Sequence, residues 1–193
     1  MKVAVLIDGG HLRVLVRKAA LEYNPDYIEK VANSCIDPNE TLFRIFYYDC
    51  PPYNGNAKLP VSGATQTFTG TDSWLKDLAS RELFAVRLGI LKFRGFSPKK
   101  IPIANRALTD SDFKPNFEQK GVDMRIGLDI AKFCETKAVD RIIIITNDTD
   151  CVPSMKYARI AGLQIVLMKF PGLQAASELS RHADFHRVRA WPE

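Results

Sequence analysis

Short apolar runs and stretches of helical period alternate along this chain almost from end to end. Runs rich in β-branched residues and bounded by turn signals predict six strands, at residues 2–7, 42–48, 84–96 (with Gly89 as a candidate bend), 141–146, 164–169 and 185–188. Apolar side chains that recur every three or four residues predict six helices between them, at residues 11–21, 24–35, 73–83, 123–136, 151–161 and 175–181. Parallel strands joined by crossover helices predict an α/β fold, a three-layer sandwich around a mainly parallel, doubly wound sheet.

Two segments interrupt this alternation. Residues 49–72 are rich in Pro, Gly, Thr and Asn, and residues 97–120 place Lys99 and Lys100 among prolines and polar residues. Loops of this length inside a compact domain are usually functional or disordered. We therefore predict one domain over residues 1–193 with two elaborated loops, near 49–72 and 97–120.

Four aspartates stand where predicted strands end or a helix begins. Asp8 follows the first apolar run, Asp148 and Asp150 follow a later one, and Asp123 opens a helix. The carboxyl ends of neighbouring parallel strands meet at the edge of the sheet where ligands bind. Carboxylates gathered there repel one another unless a proton or a cation neutralises them, which indicates a bound metal.

A magnesium ion suits such a cluster because it takes hard oxygen ligands and needs only one or two direct carboxylates. It can activate a water molecule and offset the charge that develops on a phosphoryl group. Each aspartate also has a structural interpretation, with Asp123 and Asp150 as helix N-caps and Asp8 as a turn residue. However, a single residue separates Asp148 from Asp150 after a buried strand. A helix cap uses only one of these carboxylates, so the second favours a cation.

The charge balance adds a basic surface to this acidic cluster. The chain has 27 basic and 22 acidic residues, a net charge of +5, and its isoelectric point is near 9.0. Because several acids are concentrated in one place, the remaining surface is more basic than the total, which suits a polyanionic partner. An ordinary basic surface explains the total equally well. The candidates for phosphate contact are Arg13, Arg17, Lys92, Arg94, Lys99, Lys100, Lys120 and Arg125.

Motifs and segments that the sequence lacks narrow the functional class of the protein and its cellular compartment. The chain has no G-x-x-x-x-G-K-[ST] and no G-x-G-x-x-G, which disfavours an ATPase or a dinucleotide-binding protein. The first apolar run is too short for a secretion signal, and no segment approaches the ~20 apolar residues of a membrane span. The four cysteines form no Cys-x-x-Cys pair, so reduced and mostly buried thiols are expected. We therefore predict a cytoplasmic protein without a membrane partner.

Several segments together resemble the NYN domain family, the PIN-like ribonucleases, in its bacterial LabA-like branch. They are Val-Leu-Ile-Asp-Gly-Gly-His-Leu at residues 5–12, Lys-Gly-Val-Asp at 120–123 with Asp129, and Ile-Ile-Thr-Asn-Asp-Thr-Asp at 144–150. The Lys-Gly-Val-Asp and Asp-x-Asp combination is fairly specific, whereas the first segment alone is weak. Residues 181–185 also resemble the family's closing segment, and the likeness covers most of the chain outside the two long loops.

The resemblance implies a metal-dependent endonuclease that hydrolyses RNA phosphodiesters, with parallel strands in the order 3-2-1-4-5. It assigns catalysis to Asp8, Asp123 and Asp148. It assigns the binding of Mg²⁺ or Mn²⁺ to the same three residues, with Asp150 as a further ligand or a helix cap. The implied partner is RNA, which we interpret as single-stranded. The RNA-binding candidates are then Arg13, Arg94, Lys99, Lys100, Lys120 and Arg125.

Asp129 also matches a recurrent acid of the family. It lies six residues after Asp123, which is about 120° around an ideal helix. A surface ion pair with Arg125 or Lys132 is therefore an equal alternative to a role beside the metal.

Two positions depart from the family pattern, since His11 stands where Asn is usual and Asn147 where Gly is usual. These departures keep open a second hypothesis, a non-catalytic RNA-binding or regulatory module on the same fold. A third hypothesis is another phosphoryl-transfer enzyme of similar topology. A haloacid dehalogenase phosphatase is disfavoured, because it would require Asp-x-Asp at the first strand, whereas Gly9 and Gly10 follow Asp8. The sequence is compatible with a homodimer and does not decide the oligomeric state.

Overall fold

The chain folds around a central sheet of parallel strands. The computed structural model describes residues 1–103, 106–172 and 174–193. The strands of this part of the chain are β1 (Lys2–Asp8), β2 (Thr41–Asp49), β3 (Gly55–Lys58), β4 (Thr65–Phe68), β5 (Phe84–Leu88), β6 (Ile90–Pro98), β7 (Phe113–Lys120), β8 (Arg141–Ile145), β9 (Gln164–Lys169) and β10 (Phe185–Val188). Its helices are α1 (Gly9–Lys18), α2 (Pro25–Ser34), α3 (Ser73–Ser80), α4 (Val122–Thr136), α5 (Val152–Ile160) and α6 (Ser177–Arg181).

The central sheet has the spatial order β10-β9-β8-β1-β2-β5, and every neighbouring pair is parallel. Numbered along the chain within this sheet, the order is 3-2-1-4-5-6, which confirms the predicted order and adds β10 at one edge. The order reverses between β1 and β8. In open α/β sheets the crevice at such a reversal is where ligands bind.

Helices cover both faces of the sheet, because alternate side chains of a buried strand point to opposite faces. On one face, Ala4 and Leu6 of β1 lie in a core with α4 and α5. On the other face, Val3, Val5 and Ile7 lie in a core with α1, α2 and α3. This arrangement confirms the predicted three-layer sandwich. Among the described residues, no helix combines the length and apolar character needed to cross a membrane.

Two antiparallel hairpins stand outside the central sheet, one formed by β3 and β4 and the other by β6 and β7. The segments predicted as loops, 49–72 and 97–120, therefore contain strands. Residues 104 and 105 of the second segment lie outside the described part of the chain. The single strand predicted over 84–96 is also wrong, because it divides at Gly89 into β5, in the central sheet, and β6.

The division at Gly89 follows from how closely other groups approach its backbone. A β-carbon there would lie 2.6 Å from the carbonyl oxygen of Lys120 and 2.9 Å from Cys50 Sγ. The Gly89 N–H donates to the carbonyl of Asp49 at 2.7 Å. The chain thus leaves the central sheet at Gly89 and pairs with β7 instead.

Five aromatic rings join the two hairpins, and we name them the hairpin aromatic cluster. Their neighbouring centroids lie between 5.2 and 5.8 Å apart. The members are Tyr53, Phe68, Phe93, Phe96 and Phe117. Aromatic pairs at this separation contribute about 0.5–1.5 kcal/mol each beyond the area that they bury. The cluster therefore gives the hairpins a small core of their own.

The four cysteines are buried and free, as predicted. Burial raises the pKa of the Cys35 and Cys151 thiols to about 12. It also raises the pKa of Cys50 and Cys134. A thiol is reactive as its thiolate, so these side chains behave as small apolar groups of the core.

Candidate metal centre

Acidic side chains lie at the ends of three neighbouring strands, at the edge where the strand order reverses. Asp8 is the last residue of β1 and Asp49 the last of β2, while Asp148 follows β8 after two intervening residues. Asp49 was not among the predicted site residues. It carries the same signal as Asp8, an acid directly after a buried apolar run, and that signal could have identified it.

Three of the four predicted aspartates converge at this edge, and we name Asp123, Asp148 and Asp150 the aspartate trio. Each offers a carboxylate oxygen, and the three oxygens lie within 4.8 Å of one another. Carboxylate oxygens are the ligands that Mg²⁺ and Mn²⁺ prefer, and a cation would relieve their mutual repulsion. The donor set therefore fits a divalent ion, which can activate water and polarise a phosphoryl group.

Local backbone conformation places the trio. Gly121 precedes α4 with a φ of 76°, a left-handed conformation that favours glycine, and Asp123 falls in the first turn of the helix. Asp148 caps the short 3₁₀ turn Thr149–Cys151, since its Oδ1 accepts the N–H of Asp150 at 2.9 Å. The cap at this end of β8 is thus Asp148 rather than Asp150.

Asp8 lies beside the trio and is not a member of it. Its Oδ1 accepts the N–H of His11 at 3.0 Å, and its Oδ2 accepts the hydroxyl of Thr146 at 3.2 Å. The buried Thr146 oxygen also accepts the N–H of Asp148 at 3.1 Å, so one hydroxyl links the ends of β1 and β8. Burial raises the pKa of Asp8, and the charges of Asp148 and Asp49 add to this. The hydrogen bonds from His11 and Thr146 oppose the rise without cancelling it.

Asp49 has no exposed surface, and hydrogen bonds saturate its carboxylate. Its Oδ2 pairs with Arg13 and accepts the hydroxyl of Tyr47 at 3.0 Å. Its Oδ1 accepts the N–H of Cys50 at 2.7 Å and the amide of Gln119 at 3.1 Å. Because Asp49 neutralises Arg13, this predicted RNA contact is part of a partly buried ion pair.

Gly9 and Gly10 make room for that network at the start of α1. A β-carbon on Gly9 would lie 2.3 Å from the hydroxyl oxygen of Tyr47, and one on Gly10 would lie 2.8 Å from Gln119 Oε1. The Tyr47 ring is buried, so packing requires glycine at position 9, whereas the flexible end of Gln119 could move away from a β-carbon at position 10. The glycine pair brings the ends of β1 and β2 close to the helix.

The two residues that depart from the family pattern lie near the trio. Asn147 Oδ1 accepts the N–H of Ala176 at 2.8 Å, which ties the end of β8 to the segment before α6. His11 is half-buried, and its Nε2 has no hydrogen-bond partner within the described residues. Burial, with the charge of Lys18, lowers the pKa of His11, which favours the neutral imidazole.

Two predicted RNA contacts flank Asp123. Arg125 donates to the carbonyl of Gly121 at 2.8 Å, and Lys120 pairs with Glu118. Both side chains are therefore held at the start of α4, the element that carries Asp123.

The other predicted contacts lie further out along the β6–β7 hairpin. Arg94 pairs with Glu118, which it shares with Lys120. Lys99 and Lys100 follow β6, whose nine residues span roughly 25–30 Å at the usual rise of a strand. They line a surface cavity of about 400 Å³ at the far end of the hairpin. The structure does not bring them to the trio.

Asp129 is also outside the trio. Its carboxylate accepts a hydrogen bond from Arg87 Nε at 3.0 Å and another from the hydroxyl of buried Tyr48 at 2.9 Å. Arg125 and Lys132, the two partners considered from the sequence, bond elsewhere. Asp129 thus joins α4 to the strands β2 and β5.

Comparison with known proteins identifies both the fold and the family. The crystal structure of a protein of unknown function from Vibrio parahaemolyticus RIMD 2210633 has a TM-score of 0.52 and 16% sequence identity, and the match covers 97% of this chain and 91% of that one. At this identity the likeness shows the fold alone. No curated protein matches the chain. The sequence model of the NYN domain matches residues 2–188. This chain therefore belongs to the NYN domain family, whose wider context is the PIN-like superfamily.

Proposed function

We propose that this protein is a divalent-metal-dependent endoribonuclease that hydrolyses RNA phosphodiesters at the aspartate trio. The observation that carries the proposal is the convergence of three carboxylate oxygens within 4.8 Å at the reversal of the strand order. Membership of the NYN family supports RNA as the substrate. Mg²⁺ or Mn²⁺ is the proposed cofactor because both take oxygen ligands.

A divalent ion bound at the trio would supply a water of lowered pKa and a positive charge beside the phosphoryl group. The chain's own residues set the geometry beforehand. Thr146 bonds to both Asp8 and the backbone of Asp148, so the end of β8 is fixed relative to β1. Asp8 thereby acts as a positioning residue for Asp148 and adds negative charge that favours a cation nearby.

Positive charge at the start of α4 suits the RNA backbone. Lys120 and Arg125 stand on either side of Asp123, and contacts of this kind position a nucleic acid without reading its sequence. Single-stranded RNA is the proposed form of the substrate. The trio thus performs the chemistry, and Lys120 and Arg125 position the RNA phosphate beside the trio.

Removal of a trio carboxylate is expected to abolish most of the cleavage of a labelled single-stranded RNA in Mn²⁺. Loss of a residue that only supports a metal ligand typically costs about 10–100-fold in activity. We therefore expect Asp123→Asn and Asp148→Asn to lower the initial rate by more than about 100-fold, and Asp8→Asn by about 10–100-fold. Calorimetric titration with Mn²⁺ should show weaker metal binding in the first two variants.

Glu135→Gln is the matched control, because Glu135 lies at the opposite end of α4 and pairs only with exposed Lys132 within the described structure. Its cleavage rate should stay within about twofold of the unaltered protein, since exposed ion pairs contribute little. Undiminished cleavage by Asp123→Asn and Asp148→Asn would contradict the assignment of the trio. RNA binding by the unaltered protein without metal-dependent cleavage would favour a non-catalytic RNA-binding module.

A further inference from the structure

A second concave site lies between α1, α3 and the end of β2. Its volume is about 330 Å³, at the lower end of the range for small-ligand pockets. We name it the aromatic–arginine pocket, after two arginines and two aromatic rings in its wall. Its lining residues are Arg13, Arg17, Tyr23, Cys50, Pro52, Trp74 and Leu91.

This pocket opens at the same edge of the sheet as the trio. Cys50 in its wall directly follows Asp49, the last residue of β2. A β-carbon on Gly9 would lie 2.9 Å from Asp49 Oδ2, and one on Gly10 would lie 3.4 Å from Asp8 Oδ1. The two carboxylates thus flank one glycine pair. The pocket lies on the β2 side of Asp8, and the trio lies on the β8 side.

Ring contacts and hydrogen bonds position the aromatic wall of the pocket. Tyr23 and Trp74 meet edge to face, with centroids 6.2 Å apart and planes at 69°. The Tyr23 hydroxyl donates to the carbonyl of Gly9 at 3.2 Å and also bonds to the hydroxyl of Tyr47. The Arg13 guanidinium lies 5.6 Å from the Tyr23 centroid and 5.7 Å from that of Trp74. Because Arg13 lies over one face of each ring, a planar base would stack on the remaining ring surface or on the guanidinium plane itself.

The two arginines of the pocket differ in whether a carboxylate neutralises their charge. Arg13 is neutralised by buried Asp49. Arg17 lies one turn later on α1, is exposed, and pairs with no carboxylate within residues 1–103, 106–172 and 174–193. A guanidinium offers several N–H donors that match phosphate oxygens. Arg17 therefore adds an unpaired positive charge to the mouth of the pocket, within the described part of the chain.

We propose that the aromatic–arginine pocket binds one nucleotide of the RNA strand next to the phosphodiester at the trio. The base lies against Tyr23 and Trp74, and its phosphate is bound by Arg17. This inference rests on the proposed function for the identity of the strand. It deepens that function, because a pocket that takes one unstacked base selects single strands over a duplex.

The test measures RNA binding in the absence of divalent metal, so that cleavage plays no part. The probe is a fluorescein-labelled single-stranded RNA hexamer of randomised sequence, in buffer with EDTA, followed by fluorescence anisotropy. Stacking on an aromatic side chain is worth about 1–3 kcal/mol per base, and 1.4 kcal/mol is tenfold in affinity. We expect Trp74→Leu and Arg17→Ala each to raise the dissociation constant about tenfold.

Lys18→Ala is the matched control, because it removes a neighbouring charge of α1 that does not line the pocket. It should change affinity less than about twofold. In a Trp191→Phe background, Trp74 is the one remaining tryptophan, and its emission should be quenched saturably by the unlabelled hexamer. Circular dichroism of Trp74→Leu confirms folding, and exposed Arg17→Ala tests the proposal without any core change.

Affinity within twofold of the unaltered protein in both pocket variants would overturn the proposal. The proposal would also be overturned if Lys18→Ala lowered RNA affinity as much as Arg17→Ala, or if the unaltered protein showed no measurable RNA binding. These outcomes are distinct from a failure of the nuclease assignment. If the unaltered protein cleaves RNA and the pocket variants bind RNA normally, the role of the pocket is refuted and the nuclease assignment stands. If RNA binding depends on the pocket but the protein does not cleave RNA, the nuclease assignment is refuted and the role of the pocket stands.

Discussion

At the scale of single residues, Gly9 sets how closely α1 approaches the end of β2. A β-carbon added at this position would lie 2.3 Å from the hydroxyl oxygen of Tyr47, a fully buried side chain. We expect Gly9→Ala to lower the free energy of unfolding by about 1–3 kcal/mol, the usual cost of overpacking. Urea denaturation followed by circular dichroism measures this change.

Gly127→Ala is the natural comparison for Gly9→Ala. Gly127 lies inside α4, and the nearest atom to its β-carbon position is the Cβ of Ser154 at an ordinary 3.8 Å. Alanine is favoured over glycine within helices by about 0.5–1 kcal/mol, so this variant should be slightly more stable. Similar destabilisation of both variants would contradict the packing argument.

Single residues also show what the sequence could predict of the site. Asp8 and Asp148 are predictable because an acid at or just after the end of a buried apolar run is a local signal. The Asp-x-Asp pattern predicts Asp150 as a metal ligand or a helix cap, and the choice between the two depends on the 3₁₀ turn after β8, where Asp148 is the cap. The contribution of Trp74 depends on α3 packing beside α1, a contact between distant parts of the chain.

At the scale of elements, prediction succeeded where burial on both faces leaves a continuous apolar run, as in β1 and β8. It failed for β7, whose residues are mostly polar and include a proline. That strand exists because β6 pairs with it and because aromatic side chains on both hairpins meet. Strand formation that depends on a partner leaves little trace in the strand's own sequence.

A buried carboxylate, Glu40, links β8 and the edge strand β10 to the start of β2. Arg187 donates to both of its oxygens at 2.9 Å, and Arg141 donates to one at 2.5 Å. Burial opposes the charged form of Glu40. The bonds from Arg187, from the backbone of Asp37 and from Arg141 outweigh burial and lower the pKa to about 2.

A lowered folded-state pKa stabilises the protein above the unfolded value, and the effect is lost as the pH falls towards the folded value. The Glu40 interaction should therefore contribute roughly 3 kcal/mol at neutral pH and progressively less between about pH 5 and pH 2. We expect Glu40→Gln to be less stable by about that amount at pH 7. The gap should close as the solution is acidified.

Chemical denaturation of both proteins at a series of pH values measures this gap. Glu118→Gln is a suitable control, since Glu118 is 40% exposed and its ion pairs lie on the surface of a hairpin. Its stability should differ little from the unaltered protein at neutral pH. A gap between the unaltered protein and Glu40→Gln that stays constant down to pH 2 would refute the argument.

At the scale of the whole molecule, the central sheet and the hairpins should open independently. β1 and β8 each pair with two neighbours, whereas β3 and β4 pair only with each other among the described residues. Local openings have lower free energy where few buried contacts hold the backbone. We expect backbone amides of β3 and β4 to exchange with deuterium at least about 100-fold faster than those of β1.

Phe93→Ala tests whether the hairpin aromatic cluster holds the two hairpins together. Phe93 contacts four other rings of the cluster. Its removal should destabilise the hairpins by about 1–3 kcal/mol and speed exchange in β3, β4, β6 and β7, with β1 still the slowest. Phe185→Ala, a 47% exposed phenylalanine on β10, serves as the control. Uniformly faster exchange across the central sheet and the hairpins would show that they open together.

Because the four native thiols are buried, the folded protein should react slowly with thiol reagents, which favours site-selective labelling of an introduced cysteine. Alkylating reagents attack thiolates, and burial raises the pKa of all four thiols, which disfavours the thiolate. A cysteine introduced at Lys99, beyond β6, would then carry a single fluorophore or spin label without removal of any native residue. The position of the far end of that hairpin could be followed directly while RNA is added.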